Sequence, residues 1–248
     1  MHTPSVSIFY PCYNDWGTIG SMVLLTVQTA ERLGIDYDLT IVDDGSDAHT
    51  QDVLDEVSNR FPSVRVIRHE ANRGYGGALR TGFASATKEW IFYTDGDAQY
   101  DVRELSILLD KAAPGVDIVQ GYKIQRHDPL HRIIVGRVYH WTVRLSFGLR
   151  LRDVDCDFRL IRRAVFDRVT LRSESGVICA EMMTKFQRAG CRVVEVPVHH
   201  YQRAHGKSQF FNFRRLLRVA RQLTGLWMRE VLSARREAPG NSDETDSP

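Results

Sequence analysis

No stretch of this 248-residue chain approaches the roughly 18 consecutive apolar residues of a membrane-spanning helix. Its first residues, MHTPSVSIFYPCYND, lack a basic segment followed by a long apolar run, so no secretory signal is expected. Cysteine is scarce: Cys12, Cys156, Cys179 and Cys191 stand far apart with no CxxC pair. That spacing argues against a cysteine-built zinc site and for reduced thiols in a cytosolic protein. An excess of one charge is lacking too. A net charge of +2 gives no global field for nucleic acid, so no nucleic-acid partner is expected. Internal repeats are also lacking. What remains, 43% hydrophobic and 26% charged residues, is the composition of an ordinary globular protein with one large α/β domain or two small ones.

The first half alternates. β-rich runs at 5–10, 38–44, 64–70, 90–95 and 117–123 are separated by helical spacings at 18–34, 47–61, 76–86 and 102–112. Strands alternating with helices of this length predict βαβ units and a mainly parallel sheet. In such sheets ligands bind beyond the carboxyl ends of the strands. Three polar clusters follow strands: PCYND (11–15), VDDGS (42–46) and TDGDAQ (94–99). All three are expected along one edge of the sheet. Helix capping explains one Asp or Ser per turn. It does not explain Asp43 beside Asp44, then Asp95 beside Asp97.

A hard cation such as Mg²⁺ or Mn²⁺ takes oxygen ligands, keeps one or two carboxylates, and fills its shell with water and substrate phosphates. Asp95 and Asp97 supply carboxylates, Gly96 allows a tight turn between them, and Gln99 can add a carbonyl. Asp43 and Asp44 can accept hydrogen bonds from a ribose or a base, while Ser46 or Asp47 caps the next helix. The glycines of NRGYGGA (72–78) do not have the dinucleotide spacing and follow the wrong strand. Gly74, Gly76 and Gly77 are expected to permit close helix–sheet packing instead.

The ordered set PCYND, VDDGSDAHT, NRGYGGALRTGFASA, YTDGDAQYD, DVDCDFRLIRR and VPVHHYQRAHGKSQF resembles family 2 glycosyltransferases, above all the dolichyl- or polyprenyl-phosphate hexosyltransferases. The resemblance runs from Ser5 to Phe213. It implies a GT-A fold, Rossmann-like, with a mainly parallel mixed sheet flanked by helices. It also implies a nucleotide-diphosphate sugar donor, a divalent metal (Mg²⁺ or Mn²⁺) and inversion at the sugar carbon. By motif, Pro11, Tyr13 and Asp15 line the nucleotide pocket, Asp15 standing where relatives usually carry Glu. Asp43 and Asp44 hold base and ribose. Asp95, Asp97 and Gln99 hold metal and diphosphate. Lys123 stands where relatives often carry Arg, as a phosphate contact. Arg159, Arg203 and Lys207 match the family's cations for anionic phosphate. A lipid monophosphate acceptor is already an anion and needs no strong base; a hydroxyl acceptor needs one, and Asp157 is the candidate.

In the second half, residues 130–153 have helical spacing, with Arg137, His140 and Arg144 on one stripe and Ile134, Val138, Trp141 and Leu145 off it. The stripe is a solvated face or a surface toward lipid phosphate. A turn and short strand leading into a helix follow at 153–166, then a helix at 179–190 and a strand at 192–201. The last helix, 211–232, is basic on one face and apolar with Phe and Trp on the other, which suits an interfacial location. The expected organisation is a catalytic domain over 1–210, this helix, and a disordered tail over 233–248. Localisation is expected to be cytoplasmic, peripheral on the cytoplasmic face of a membrane. Two alternatives stand beside the polyprenyl-phosphate reading: a soluble family 2 transferase acting on a glycan or small-molecule hydroxyl, and a non-catalytic nucleotide-sugar-binding module.

Overall fold

Short runs dense in β-branched and aromatic residues become strands. They are β1 (Ser5–Cys12), β2 (Asp36–Asp43), β3 (Val64–Arg68), β4 (Trp90–Thr94), β5 (Ile118–Lys123), β6 (Phe158–Arg162) and β7 (Val193–Val198). The central β1 and β4 are buried on both faces, the edge strands β3 and β7 only in part. The helices are α1 (Trp16–Leu33), α2 (Ala48–Arg60), α3 (Tyr75–Ser85), α4 (Leu105–Leu109), α5 (Leu130–Phe147), α6 (Ile178–Arg188) and α7 (Phe213–Trp227). The computed structural model describes residues 4–124, 130–203 and 213–232, without the side chains of 130–137, 139, 213–217 and 232. These residues divide into two units at Ser208, with α7 in the second. Lys207 and the expected tail fall outside the described residues.

Seven strands form one sheet in the order β3-β2-β1-β4-β6-β5-β7. β3, β2, β1 and β4 run parallel, β6 runs antiparallel to both β4 and β5, and β7 is parallel to β5. This is a GT-A-like α/β arrangement. The chain leaves β1 toward β2 on one side and later places β4 on its other side. Such a reversal of strand order opens a crevice at the carboxyl ends. The acids after β1, β2 and β4 therefore share one edge, as their sequence positions predict.

The elements depart from their sequence-based bounds where local chemistry intervenes. The helix expected over 130–153 stops at Phe147 because Gly148 adopts a left-handed φ of 65°. The helix expected over 102–112 splits into a 3-10 turn (Val102–Glu104) and the short α4. After β6 the chain makes only a 3-10 turn, Arg163–Asp167. Helix α2 begins at its Asp, whose Oδ1 accepts from Thr50 N at 2.8 Å.

One face of the sheet buries Tyr10, Phe92 and Phe158 with Ile19, Met22 and Val23 of α1. On the other face Phe9 stacks on Tyr93 with ring centroids 5.4 Å apart, and Phe83 of α3 meets both edge-on. The close helix–sheet approach falls to Gly82, where a Cβ would come within 2.3 Å of the Phe9 ring. Gly76 serves a different contact from the one expected. A Cβ there would lie 2.3 Å from Ser173 O, and Gly76 N–H donates to Glu174 O at 2.9 Å. The start of α3 is thus fixed on the 173–174 backbone.

That backbone is held in turn by Glu181 of α6. Its carboxylate accepts from Arg172 N at 2.9 Å, Ser173 N at 2.7 Å and Lys185 Nζ at 2.6 Å. Burial pushes the Glu181 carboxyl up, but Lys185 and Ser173 outweigh it and hold its pKa below the usual glutamate value. A depressed carboxylate stabilises the fold fully above its unfolded pKa of about 4.3, and that contribution fades as pH falls through the lower folded value. Glu181→Gln should therefore destabilise the protein by about 2 kcal/mol near neutrality. In urea titrations the gap from wild type should shrink as the pH is taken below about 4. A gap that stays constant through this range would contradict the assignment.

Candidate active site

The pairing of β4 with β6 builds the centre of the site. In that register Thr94 faces Phe158 and Tyr93 faces Arg159. Because the strands are antiparallel, the residue after β4 and the residue before β6 emerge side by side. These are Asp95 and Asp157. Neither the composition nor the spacing of the sequence indicates this meeting.

Arg159 lies within the sheet with 0% exposure. Its Nε donates to Gln120 Oε1 at 2.6 Å, its Nη2 to Val154 O at 2.6 Å, and its Nη1 to Asp157 Oδ1 at 2.7 Å and to the Tyr93 hydroxyl. The Tyr93 hydroxyl at 3.3 Å and the Cys179 thiol at 3.2 Å also donate to Asp157 Oδ1. The phosphate contact expected of Arg159 is corrected here: a guanidinium sealed in the sheet, with its fork turned inward, clamps Asp157 instead. The thiols are free, with Cys12, Cys156 and Cys179 buried.

Asp95 is fixed from the other side. The Tyr75 hydroxyl, at the first residue of α3, donates to Asp95 Oδ1 at 2.6 Å. Sequence reasoning missed Tyr75; its signal was a tyrosine among helix-starting glycines just before a strand ending in acids. Burial, then the nearby Asp157 and Asp97, push the Asp95 carboxyl well above the usual carboxylate range. Asp97 is pushed up by burial and pulled back by Arg203. Its Oδ1 accepts from Gln99 N at 3.1 Å and its Oδ2 from Arg203 Nη2 at 2.6 Å. Gly96 lets this loop pass Pro11, whose carbonyl would lie 2.9 Å from a Cβ there.

Gln99 has a second task. Its Nε2 donates to Tyr201 O at 3.0 Å, and its backbone carbonyl accepts from Tyr201 N at 2.8 Å. These bonds strap the acid loop to the segment after β7 and leave the side-chain Oε1 without a described bond. That segment carries Arg203, which also reaches Asp15 Oδ1 at 3.7 Å.

On the nucleotide side, Asp43 is 0% exposed. Its Oδ1 accepts from Ser46 N at 3.0 Å, while its buried Oδ2 has no hydrogen-bond partner among the described residues. Asp44 is held through one oxygen: its Oδ1 accepts from Arg73 N at 2.8 Å and from His69 Nδ1 at 2.7 Å. Each of the two acids expected on base and ribose therefore keeps its Oδ2 without a described bond. Tyr13, just after β1, is 47% exposed.

Lys123 Nζ donates to Asp155 O at 3.1 Å and faces the acids of 153–157. Burial opposes its charge, yet those acids, Asp153 first, hold its pKa above the usual lysine value. Asp155 is pushed up to about 7 by burial and Asp153, against the pull of Lys123. Lys123 thus attends the 153–157 turn, which carries Asp157 into the site. Arg144 folds over the Trp141 ring, 5.4 Å from its centroid. Arg137 belongs to α5, but its side chain is outside the described set.

Among the described residues no group of three His, Cys, Asp or Glu has the arrangement of a self-sufficient metal site. The set does fit a hard divalent cation that brings its own phosphates and waters. Asp95 and Asp97 are oxygen donors whose crowded charge such a cation relieves.

The model described as glycosyl transferase family 2 matches residues 7–170, from β1 past β6. The chain belongs to glycosyl transferase family 2. A relative, the undecaprenyl-phosphate 4-deoxy-4-formamido-L-arabinose transferase of Enterobacter sp. (strain 638), is 29% identical over 216 residues, which is 86% of this chain. The chain spans 64% of that relative's length. Among solved structures, glucosyl-3-phosphoglycerate synthase from Mycobacterium tuberculosis with Mn²⁺, UDP and phosphoglyceric acid superimposes with TM-score 0.70 at 17% identity, covering 92% of this chain and 78% of that one. The same enzyme with Mg²⁺ and UDP gives TM-score 0.69 at 16% identity, covering 92% and 79%. At these identities the likeness bears on the fold alone. The family match includes Asp43, Asp95, Asp97, Asp157 and Arg159 and ends before Arg203.

Removing one partner of a buried ion pair leaves an uncompensated charge. Arg159→Gln should therefore lower unfolding free energy by about 3–5 kcal/mol. Arg159→Lys should not restore it, because an ammonium cannot serve Gln120, Val154 and Asp157 in one plane. Urea unfolding of the three proteins checks this, and full stability of the lysine variant would contradict it.

Proposed function

We propose that this chain transfers a hexose from a nucleotide-diphosphate sugar, of the GDP-mannose or UDP-glucose type, to a polyprenyl or dolichyl monophosphate. Transfer inverts the sugar carbon and uses Mg²⁺ or Mn²⁺. The observation that carries this reading is the meeting of Asp95, Asp97 and Asp157 at the edge where β1, β2 and β4 end, in a family 2 chain. The relative named as an undecaprenyl-phosphate sugar transferase supports the acceptor class. Neighbours of the same fold crystallised with UDP and Mn²⁺ or Mg²⁺ support a diphosphate donor and a divalent cation.

Asp95, steadied by Tyr75, and Asp97 hold the cation. Once bound, it neutralises charge on the leaving diphosphate. Asp43 and Asp44 keep their Oδ2 oxygens for a ribose hydroxyl or a base N–H. Arg203 and Lys207 supply positive charge for phosphate. A phosphate monoester is anionic near neutral pH, so catalysis is mostly positioning and charge neutralisation.

The acceptor implies a membrane surface, on its cytoplasmic face. Among the described residues no helix is long and apolar enough to cross a membrane. Helix α5 exposes Val138, Trp141 and Leu145 at 63%, 53% and 74%. An exposed apolar stripe with Trp and neighbouring Arg144 suits the headgroup boundary. A second reading, a hydroxyl acceptor, is favoured by Asp157. Its described bonds all fall on Oδ1, which leaves Oδ2 to take a proton.

The test of the main reading incubates the full chain with Mn²⁺, vesicles bearing undecaprenyl or dolichyl phosphate, and labelled GDP-mannose, UDP-glucose or UDP-N-acetylglucosamine. One donor should label the lipid, and Asp97→Asn should slow transfer by at least about 100-fold. Label on a water-soluble acceptor, indifferent to the lipid, would favour the second reading; no transfer from any donor would overturn both. Separately, Trp141→Glu with Leu145→Glu should abolish sedimentation with anionic vesicles. Unchanged sedimentation would remove α5 from the membrane contact.

A further inference from the structure

Both oxygens of Asp97 already have partners. Oδ1 accepts from Gln99 N–H at 3.1 Å, and Oδ2 accepts from Arg203 Nη2 at 2.6 Å. The first bond is part of the turn that follows Gly96 and moves only with the backbone. The second is made by a side chain 31% exposed, against 5% for Asp97. A cation that binds Asp97 must therefore displace or crowd Arg203.

Arg203 is not there by the chance of a long side chain. The segment that carries it is strapped to the acid loop by the paired Gln99–Tyr201 bonds and by a bridge between Tyr100 and His200. His199 N–H adds a bond to Glu104 Oε2 at 2.9 Å. The guanidinium consequently stands between Asp97 and Asp15, 3.7 Å from the latter. A guanidinium within hydrogen-bond distance of a carboxylate repels a divalent cation on the same oxygen at short range. A diphosphate changes the balance, because it offers the displaced guanidinium a bidentate partner while sharing the cation.

We propose that Arg203 is a built-in counter-cation for Asp97, exchanged when a divalent cation arrives with a nucleotide diphosphate, so that the cation binds well with the nucleotide and poorly alone. This rests on the reading of Asp97 as a cation ligand. Arg203 is then an affinity-setting residue of the donor site, and it couples the acid loop to the segment after β7.

The test counts free Mn²⁺ by electron paramagnetic resonance in titrations of the full chain, with no nucleotide, with UDP and with GDP. Without nucleotide, Arg203→Gln should bind Mn²⁺ about tenfold more tightly than wild type. It should also lose most of the tightening that a nucleotide diphosphate gives wild type. Arg203→Lys, which keeps the charge, should stay near wild type without nucleotide. Adding Asp97→Asn to Arg203→Gln should erase the gain. Equal or weaker Mn²⁺ binding by Arg203→Gln overturns the proposal, and so does a gain that survives Asp97→Asn. If neither nucleotide tightens Mn²⁺ binding to wild type, the transferase reading fails instead, while the comparison without nucleotide still decides the role of Arg203.

Discussion

A full positive charge sits inside the sheet with no contact with water, and the site is arranged around it. Arg159 is tolerated there because its planar fork meets a side-chain amide, a backbone carbonyl, a phenol and a carboxylate together. A buried charge costs several kcal/mol unless it is paired and hydrogen-bonded. This constraint fixes the β4–β6 register, since a slip of one residue would carry Arg159 to the other face of the sheet and away from Tyr93. The same register brings Asp157 beside Asp95. Fold stability and site geometry therefore share one interaction.

Around this fixed centre the supports become less buried. Tyr75 steadies Asp95 from the start of α3, which depends on Gly76 lying against the backbone held by Glu181. Gln99 ties the acid loop to the segment after β7, and Arg203 at its end is partly exposed. On the proposed reading the rigid parts hold the acids of the donor site, and the exposed cation is the part that exchanges partners. Such a resident cation would give a metal–diphosphate pair an advantage over free metal.

Much of this was legible in the sequence. The alternation of strands and helices predicts the parallel half of the sheet, and acids directly after three strands predict a shared edge. A cap at Ser46 or Asp47 follows from their place before an amphipathic run, and the structure gives it to Asp47. What was not legible depends on register and side-chain direction. The DFR triplet reads as a phosphate-binding arginine, because nothing in its neighbours says that Arg159 points into the sheet. Gln99 reads as an oxygen ligand, and nothing in its neighbours says that its Nε2 and backbone carbonyl also tie the loop to Tyr201. Asp44 is indistinguishable from Asp43 in a pair of adjacent acids, and nothing in the pair says that His69 and Arg73 hold its Oδ1. Val138, Trp141 and Leu145 beside the basic stripe of α5 prove exposed, while Val143 and Phe147 are buried.

On the proposed reading the carboxyl-end edge of β1, β2 and β4 is the donor site. Hydrogen–deuterium exchange of the full chain with Mn²⁺, with and without UDP or GDP, tests this. One nucleotide should slow exchange in peptides covering 11–15, 43–47 and 95–99, and leave α5 unchanged. Slowed exchange confined to other segments, with these three unaffected by a nucleotide that binds, would contradict it.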